Sequence, residues 1–180
     1  MESTDSLTPS PLIRYCPACG QPTFASNSPK SYHCSSCEFV LFLNPSAAVA
    51  VIVECDRHLL MAVRGAAPGQ GMLDLPGGFV DPQETAEQAL ARELQEELGL
   101  TGVQPQYFAS FPNVYPYRGI VYQTTDLIYT LTLSDRPYLE AADDVAQVVW
   151  IHRDELVMDK IAFSSIRQAV GAYLNQVCSV

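Results

Sequence analysis

From residue 44 onward, apolar runs of β-branched residues alternate with clusters of turn residues, and that rhythm predicts a sheet. Residues 47–54 and 59–64 are nearly continuous apolar runs, and they read as two strands joined by the polar connection Cys55-Asp56-Arg57-His58. A Gly- and Pro-rich loop covers residues 65–71. Residues 72–75 predict a short strand, residues 123–133 a long one rich in Thr, Ile and Tyr, and residues 147–152 another. Helical spacing predicts two helices, over residues 82–98 and 164–176. A mixed sheet with helices packed on its faces is the economical architecture for this order, and no internal repeat interrupts it.

The first helix carries its own punctuation. Asp81 is expected to cap it, Pro82 to occupy the first helical position, Glu84 to act as the capping-box partner, and Gly99 to end it. At 100° per residue, Leu90, Ala91, Leu94 and Leu98 form a stripe expected to pack on the sheet. Glu93, Glu96 and Glu97 form a separate stripe beside it, spaced i, i+3 and i+4. Two carboxylates roughly 5 Å apart repel by about 3 kcal/mol at an effective dielectric near 20. The helix C-terminus also disfavours anions, and only Arg92 is near enough in sequence to compensate. A hard divalent cation such as Mg²⁺ or Mn²⁺ would turn the cluster into a set of oxygen ligands; the alternative is a solvated charged face.

Composition bounds the rest. With 180 residues, 48% hydrophobic and 17% charged, the chain can bury a core as an ordinary globular protein. The longest apolar run, residues 47–53, is far too short to span a bilayer, so no membrane partner is expected. The first thirteen residues are Ser-, Thr- and Pro-rich, without a basic start or an apolar stretch. They read as a disordered tail rather than a targeting segment, and the cytoplasm is the expected location. A formal net charge of −10 is the wrong sign for a protein held to nucleic acid by bulk charge. Half of that charge is local, because residues 81–97 hold six acids and one Arg, a net of −5.

Four of the six cysteines form two Cys-x-x-Cys pairs, Cys16/Cys19 and Cys34/Cys37, within a segment over residues 14–40 too rich in Ser and Pro to fold on apolar burial alone. Two such turns supply the four thiolates of a structural zinc ribbon, with Zn²⁺ contributing to folding. Paired disulfides and a ribbon without metal are the alternatives. His33 could compete as a ligand but is expected to face solvent, and Cys55 and Cys178 read as packed residues.

Written from Gly78, the chain runs Gly-x5-Glu84-x7-Arg92-Glu93-Leu94-x-Glu96-Glu97-x-Gly99-Leu100, and so resembles the signature of the Nudix hydrolase family at all nine defined positions in 23 residues. The resemblance implies an α/β/α sandwich over residues 44–180. It also implies divalent cations held by glutamates, and a substrate built as a nucleoside diphosphate linked to another moiety. In that likeness Glu93 and Glu97 are the firmest ligands, and Glu96 joins them or holds a water. Arg92 orients Glu93, Glu84 holds the loop, and a backbone carbonyl in the Pro76-Gly77-Gly78 turn, assigned to Gly78, reaches the metal. A further ligand is expected before the last strand. Asp144 has the matching offset from Trp150, with Asp143 and Glu140 as alternatives.

A zinc ribbon upstream of such a domain resembles the NADH pyrophosphatase branch. Ser110-Phe111-Pro112-Asn113-Val114-Tyr115-Pro116-Tyr117-Arg118 partly matches that branch's substrate motif, departing at Asn113 and Arg118. The likeness implies hydrolysis of NADH, ADP-ribose or a related compound, with Ser110, Tyr115, Tyr117, Arg118 and Arg64 as substrate contacts; a proline-rich loop whose tyrosines cover the sheet is the other reading. Alternative functions are a nucleoside triphosphate or capped-RNA pyrophosphohydrolase and a non-catalytic ADP-ribose-type sensor. The expected partner is a small nucleotide, with nucleic acid limited to a capped RNA end, and the branch resemblance implies a homodimer.

Overall fold

A computed structural model describes residues 13–139, 141–142 and 145–178 of the chain. These divide into two compact units, one comprising residues 13–45 and 114–123, the other residues 46–113 and 124–178.

The first unit contains a three-stranded sheet, β1 (Phe24–Ser28), β2 (Ser31–Cys34) and β3 (Val40–Phe42), in that spatial order with antiparallel pairing. Its apolar core is small. Phe24 and Tyr32 stack with ring centroids 5.5 Å apart, and Cys16 and Cys34 are buried beside them. A core of this size cannot by itself offset the backbone entropy of ordering the ribbon.

The second unit is built on a mixed seven-stranded sheet. The strands of this sheet are β4 (Ser46–Cys55), β5 (His58–Arg64), β6 (Leu73–Asp74), β7 (Gly77–Phe79), β8 (Gln106–Tyr117), β9 (Ile120–Thr132) and β10 (Val145–His152), of which residues 114–117 and 120–123 are counted with the first unit. The order β10-β5-β4-β9-β8 places β4 centrally, parallel to β9 and antiparallel to β5; β6 pairs with β5, and β7 with β4. Asp56 and Arg57 both adopt positive φ in the two-residue turn that joins β4 to β5.

Strand alternation explains why helices cover both faces. On β4, Ala50 and Ile52 point into one core while Val49, Val51 and Val53 point into the other. The first core is closed by α2 (Ser164–Cys178) through Ile166, Ala169, Val170 and Tyr173, and the second by α1 (Ala86–Leu98) through Ala89, Leu90, Leu94 and Leu98. The result is the expected α/β/α layering with a mixed sheet. Among the described residues, no helix is long and apolar enough to cross a membrane.

Three readings are corrected. The first helix begins at Ala86, not at residue 82, with Thr85 as its cap. Thr85 Oγ1 accepts from the Gln88 N–H at 3.2 Å, and the Gln88 side chain accepts from the Thr85 N–H at 2.8 Å. Thr85 outcompetes Asp81 because Gln83 sits at φ 71°, where a helix cannot propagate. The buried stripe of α1 also runs through Ala89 rather than Ala91, which is exposed. The alternative reading of residues 110–118 as a proline-rich loop gives way to strand β8 over residues 106–117. This strand is the edge strand of the sheet, where Pro112 and Pro116 can lack an N–H without leaving a ladder acceptor unpaired inside the sheet.

Gly77 is the tightest point of the scaffold. Its φ is +142°, and a Cβ added there would collide with the Val49 carbonyl on β4. Gly77→Ala is expected to lower stability by about 2–4 kcal/mol. Gly71→Ala, at φ +79° with open space around it, should cost only about 1–2 kcal/mol. Urea unfolding midpoints of the two variants measure the difference.

Candidate active site and four-thiol cluster

The glutamate stripe is not separate from the packed face of α1. At 100° per residue, Glu93 and Glu97 fall inside the arc that carries Ala89, Leu90, Leu94 and Leu98, whereas Glu96 falls outside it. Glu93 is 9% exposed and Glu97 only 3%, while Glu96 is exposed. Two anions one helical turn apart are thus buried against the start of β7.

The surroundings are shaped for those carboxylates. Gly77 N–H donates to Glu97 Oε2 at 2.9 Å. A Cβ added to Gly78 would run into the Glu93 carboxyl group, 2.7 Å from its Cδ, so any side chain there would displace the glutamate. Arg92 supplies the compensating charge. Its Nε and one Nη hold Glu84 in a fork at 2.9 and 3.0 Å, its other Nη donates to Glu93 at 2.7 Å and Glu96 at 3.2 Å, and the Phe79 carbonyl accepts at 3.0 Å. The Arg92 guanidinium, aided by the Asp81 N–H at 3.0 Å, holds the Glu84 carboxyl below the ordinary carboxylate range. Glu84 is therefore a loop anchor for Arg92, not a helix cap.

One guanidinium cannot neutralise three carboxylates. Glu93 and Glu97 are hard oxygen donors on one face of α1, and that donor chemistry suits a divalent cation. Asp144, Asp143 and Glu140, the candidates for a downstream ligand, lie outside the described residues. Val145, next in sequence, lines a small cleft together with Arg64, Asp74, Gly77 and Glu97.

Arg64, expected as a substrate contact, has a partner in Asp74, which carries no expectation from the sequence. The two form an ion pair at 2.8 Å, each side chain only 13% exposed. Burial pushes the Asp74 carboxyl up to about 6 even though Arg64 pulls it down. A single acid inside the apolar run 72–75 was the available signal. Among the other candidate substrate residues, Ser110 is exposed on β8 in the second unit. Tyr115, Tyr117 and Arg118 belong to the first unit, with the tyrosine rings 6.2 Å apart and Arg118 5.2 Å above the Tyr117 ring.

In the first unit the four thiols converge. The sulfurs of Cys16, Cys19, Cys34 and Cys37 all lie within 4.8 Å of one another, and the Cys16–Cys37 and Cys19–Cys34 separations are both 3.7 Å. That is too long for a disulfide. It matches the edge of a tetrahedron with metal–sulfur bonds of about 2.3 Å, which is about 3.8 Å. The two turns are built alike, with Gly20 N–H donating to the Cys16 carbonyl and Glu38 N–H to the Cys34 carbonyl. Gly20 at φ 72° and Glu38 at φ 61° occupy equivalent places. The Thr23 hydroxyl, with the Ser36 and Cys37 amides, brings the Cys34 thiol down to about 6, whereas the neighbouring Cys19 thiol and burial push the Cys37 thiol up to about 12. His33 stands outside the cluster, 3.0 Å from the Glu38 carboxylate.

Known proteins resemble this chain in sequence and in fold. The NUDIX domain model matches residues 43–170. The NAD-capped RNA hydrolase NudC of Stutzerimonas stutzeri is 26% identical over 164 residues, covering 91% of this chain and 55% of the relative. The ADP-ribose pyrophosphatase of Methanocaldococcus jannaschii is 44% identical over 63 residues, covering 35% of this chain and 37% of the relative. The chain thus spans about half the length, or less, of these curated relatives. A NUDIX hydrolase structure from Nitrosomonas europaea superposes with a TM-score of 0.63 at 23% identity, covering 91% of this chain and 92% of that one, a likeness of fold.

Removing the Arg92 charge should leave the Glu93 and Glu97 carboxylates poorly compensated. Arg92→Met is expected to cost about 2 kcal/mol. Added Mg²⁺ should raise its thermal midpoint more than that of the wild type, and differential scanning calorimetry with and without Mg²⁺ checks both.

Proposed function

The chain belongs to the NUDIX family, and from that premise we propose that it is a divalent-cation-dependent pyrophosphohydrolase cleaving the diphosphate bond of NADH, ADP-ribose or a related nucleoside diphosphate derivative. The observation that carries this reading is the buried Glu93–Glu97 pair, clamped by Arg92 and set against the Gly77-Gly78 turn. A family member serving only as a sensor has no need to bury two carboxylates one turn apart at a cost in stability.

Glu93 and Glu97, with Glu96 and the Gly78 carbonyl, would hold the cation; Asp144 is the proposed further ligand, with Asp143 and Glu140 as alternatives. When bound, the cation supplies Lewis acidity and neutralises the diphosphate oxygens that this acidic site would otherwise repel. Arg92 keeps Glu93 oriented, and Glu84 keeps Arg92 in place. Glu96, exposed and tethered by a single Arg92 bond at 3.2 Å, takes the proton of the attacking water. The water oxygen bonds to one phosphorus, the bridging P–O bond breaks, and two phosphomonoesters leave. Arg64 and Ser110 are the proposed substrate contacts in the second unit; Tyr115, Tyr117 and Arg118, in the first unit, remain proposals from the motif resemblance alone, the tyrosines offering faces for a base.

The four-thiol cluster would hold Zn²⁺ as a structural ion, with residues 14–40 as a ribbon and residues 44–180 as the hydrolase domain. The likeness to the NAD-capped RNA hydrolase NudC of Stutzerimonas stutzeri favours a second substrate, the terminal pyrophosphate of an NAD-capped RNA. Such an end needs only its diphosphate in the site, where a bound cation would offset the local negative charge. Cytoplasmic location and a homodimer complete the proposal.

Glu97→Gln keeps an oxygen that can accept from Gly77 N–H but loses the charge. It is expected to lower kcat by roughly 10²–10³-fold with an unchanged melting temperature. Wild-type turnover in that variant would overturn the site. AMP release from NADH, NAD⁺, ADP-ribose, diadenosine polyphosphates and nucleoside triphosphates tests the substrate, and a preference for triphosphates would overturn the dinucleotide choice. Elemental analysis of fresh protein should find about one zinc per chain.

A further inference from the structure

Arg64 is held more firmly than a surface cation. It ends β5, and its Nη1 donates to Asp74 Oδ2 at 2.8 Å while its Nε donates to the Pro68 carbonyl at 2.6 Å. The Phe163 ring lies 4.8 Å from its Cζ. Gly69 lies so close that an added Cβ would come within 3.3 Å of Arg64 Cδ. Asp74 is fixed in turn. It sits opposite Ala62 in the β5–β6 register, and its Oδ1 accepts from the Leu75 N–H at 2.9 Å. An ion pair this buried costs desolvation on both sides and is a weak source of stability, so its retention calls for another role.

The place of the pair supplies that role. Arg64 and Asp74 line the same small cleft as Glu97 and Gly77. A guanidinium lining the same cleft as Glu97, one of the glutamates proposed to hold the cation, lies within reach of where a diphosphate would meet that cation. Its planar array of donors can engage a carboxylate and a phosphate together. An arginine left to itself samples many rotamers and would have to be ordered each time substrate bound.

We propose that Asp74 is a positioning residue, which fixes the Arg64 guanidinium in the wall of the Glu97 cleft so that Arg64 meets a phosphate oxygen of the substrate diphosphate already in place. The inference rests on the pyrophosphohydrolase reading above. Asp74 touches no reacting atom and acts only through Arg64, whereas a pair that merely closed the loop over residues 65–71 would alter folding and leave substrate affinity alone.

The test uses the full chain with Asp74→Asn, Arg64→Lys and the double variant. Steady-state kinetics on the substrate that the panel selects are read beside calorimetric binding of inorganic pyrophosphate in the presence of Mg²⁺. Each single variant should raise KM and the pyrophosphate Kd by roughly tenfold, with kcat within about threefold of wild type. The double variant should be no worse than about threefold beyond the weaker single one, because both changes break one unit. KM and Kd within twofold of wild type in Asp74→Asn would overturn the proposal, as would fully additive effects or a wild type that binds no pyrophosphate. Should Asp74→Asn fail to fold, Asp74→Glu, which displaces the charge by one methylene, is measured against the same criteria. A wild type that binds pyrophosphate but turns over no substrate fails the functional reading alone. Normal turnover with additive variants fails the Asp74 inference alone.

Discussion

Burying two carboxylates on one turn of a helix is the constraint from which the second unit takes its local form. Glu93 and Glu97 sit within the packed arc of α1, so the strand facing them cannot carry side chains, and Gly77 and Gly78 stand there. Gly77 goes further and donates its N–H to Glu97, which is possible only because backbone comes so near. The same burial requires a cation on the helix itself, and Arg92 fills that place by spanning Glu84, Glu93, Glu96 and the Phe79 carbonyl. Arg92 can hold Glu84 only if the chain before the helix stays unwound, which is why the cap falls at Thr85 and Gln83 turns left-handed.

The rest of the unit makes that arrangement affordable. Leu90, Leu94 and Leu98 seat α1 on Val49, Val51 and Val53, and α2 covers the other face of the same strand through Ile166 and Val170. A scaffold closed on both faces holds the carboxylates within fractions of an ångström, the tolerance a ligand set requires. The first unit follows the opposite strategy. Phe24 and Tyr32 give it little apolar area, and four convergent thiols take over the work of a core.

Much of this was legible from the residues. The β-branched runs on either side of Cys55-Asp56-Arg57-His58 are strands β4 and β5 almost residue for residue, because strands buried on both faces must be continuously apolar. The Cys-x-x-Cys spacings and the order of Glu84, Arg92, Glu93, Glu96 and Glu97 likewise identified the two clusters of chemistry. Other features were hidden for physical reasons. Pro112 and Pro116 normally argue against a strand, and nothing local reveals that β8 lies at an edge. Asp81-Pro82 is a good helix start, and Thr85 is a better one once Glu84 is drawn away to Arg92. Asp74 gave only the sign of a lone charge in an apolar run, since its partner Arg64 is ten residues away.

The amino-acid sequence by itself singled out the candidate residues, the two helices and the strands β4, β5, β6, β9 and β10, because periodicity, capping and ligand spacing act over a few residues. Only the tertiary structure decided their states. It placed Glu93 and Glu97 in the buried arc and left Glu96 outside, made Arg64 half of a buried pair, and brought four thiols from two separate turns within 4.8 Å of one another. Burial and pairing depend on what the rest of the chain places opposite a residue, and that information has no local signature.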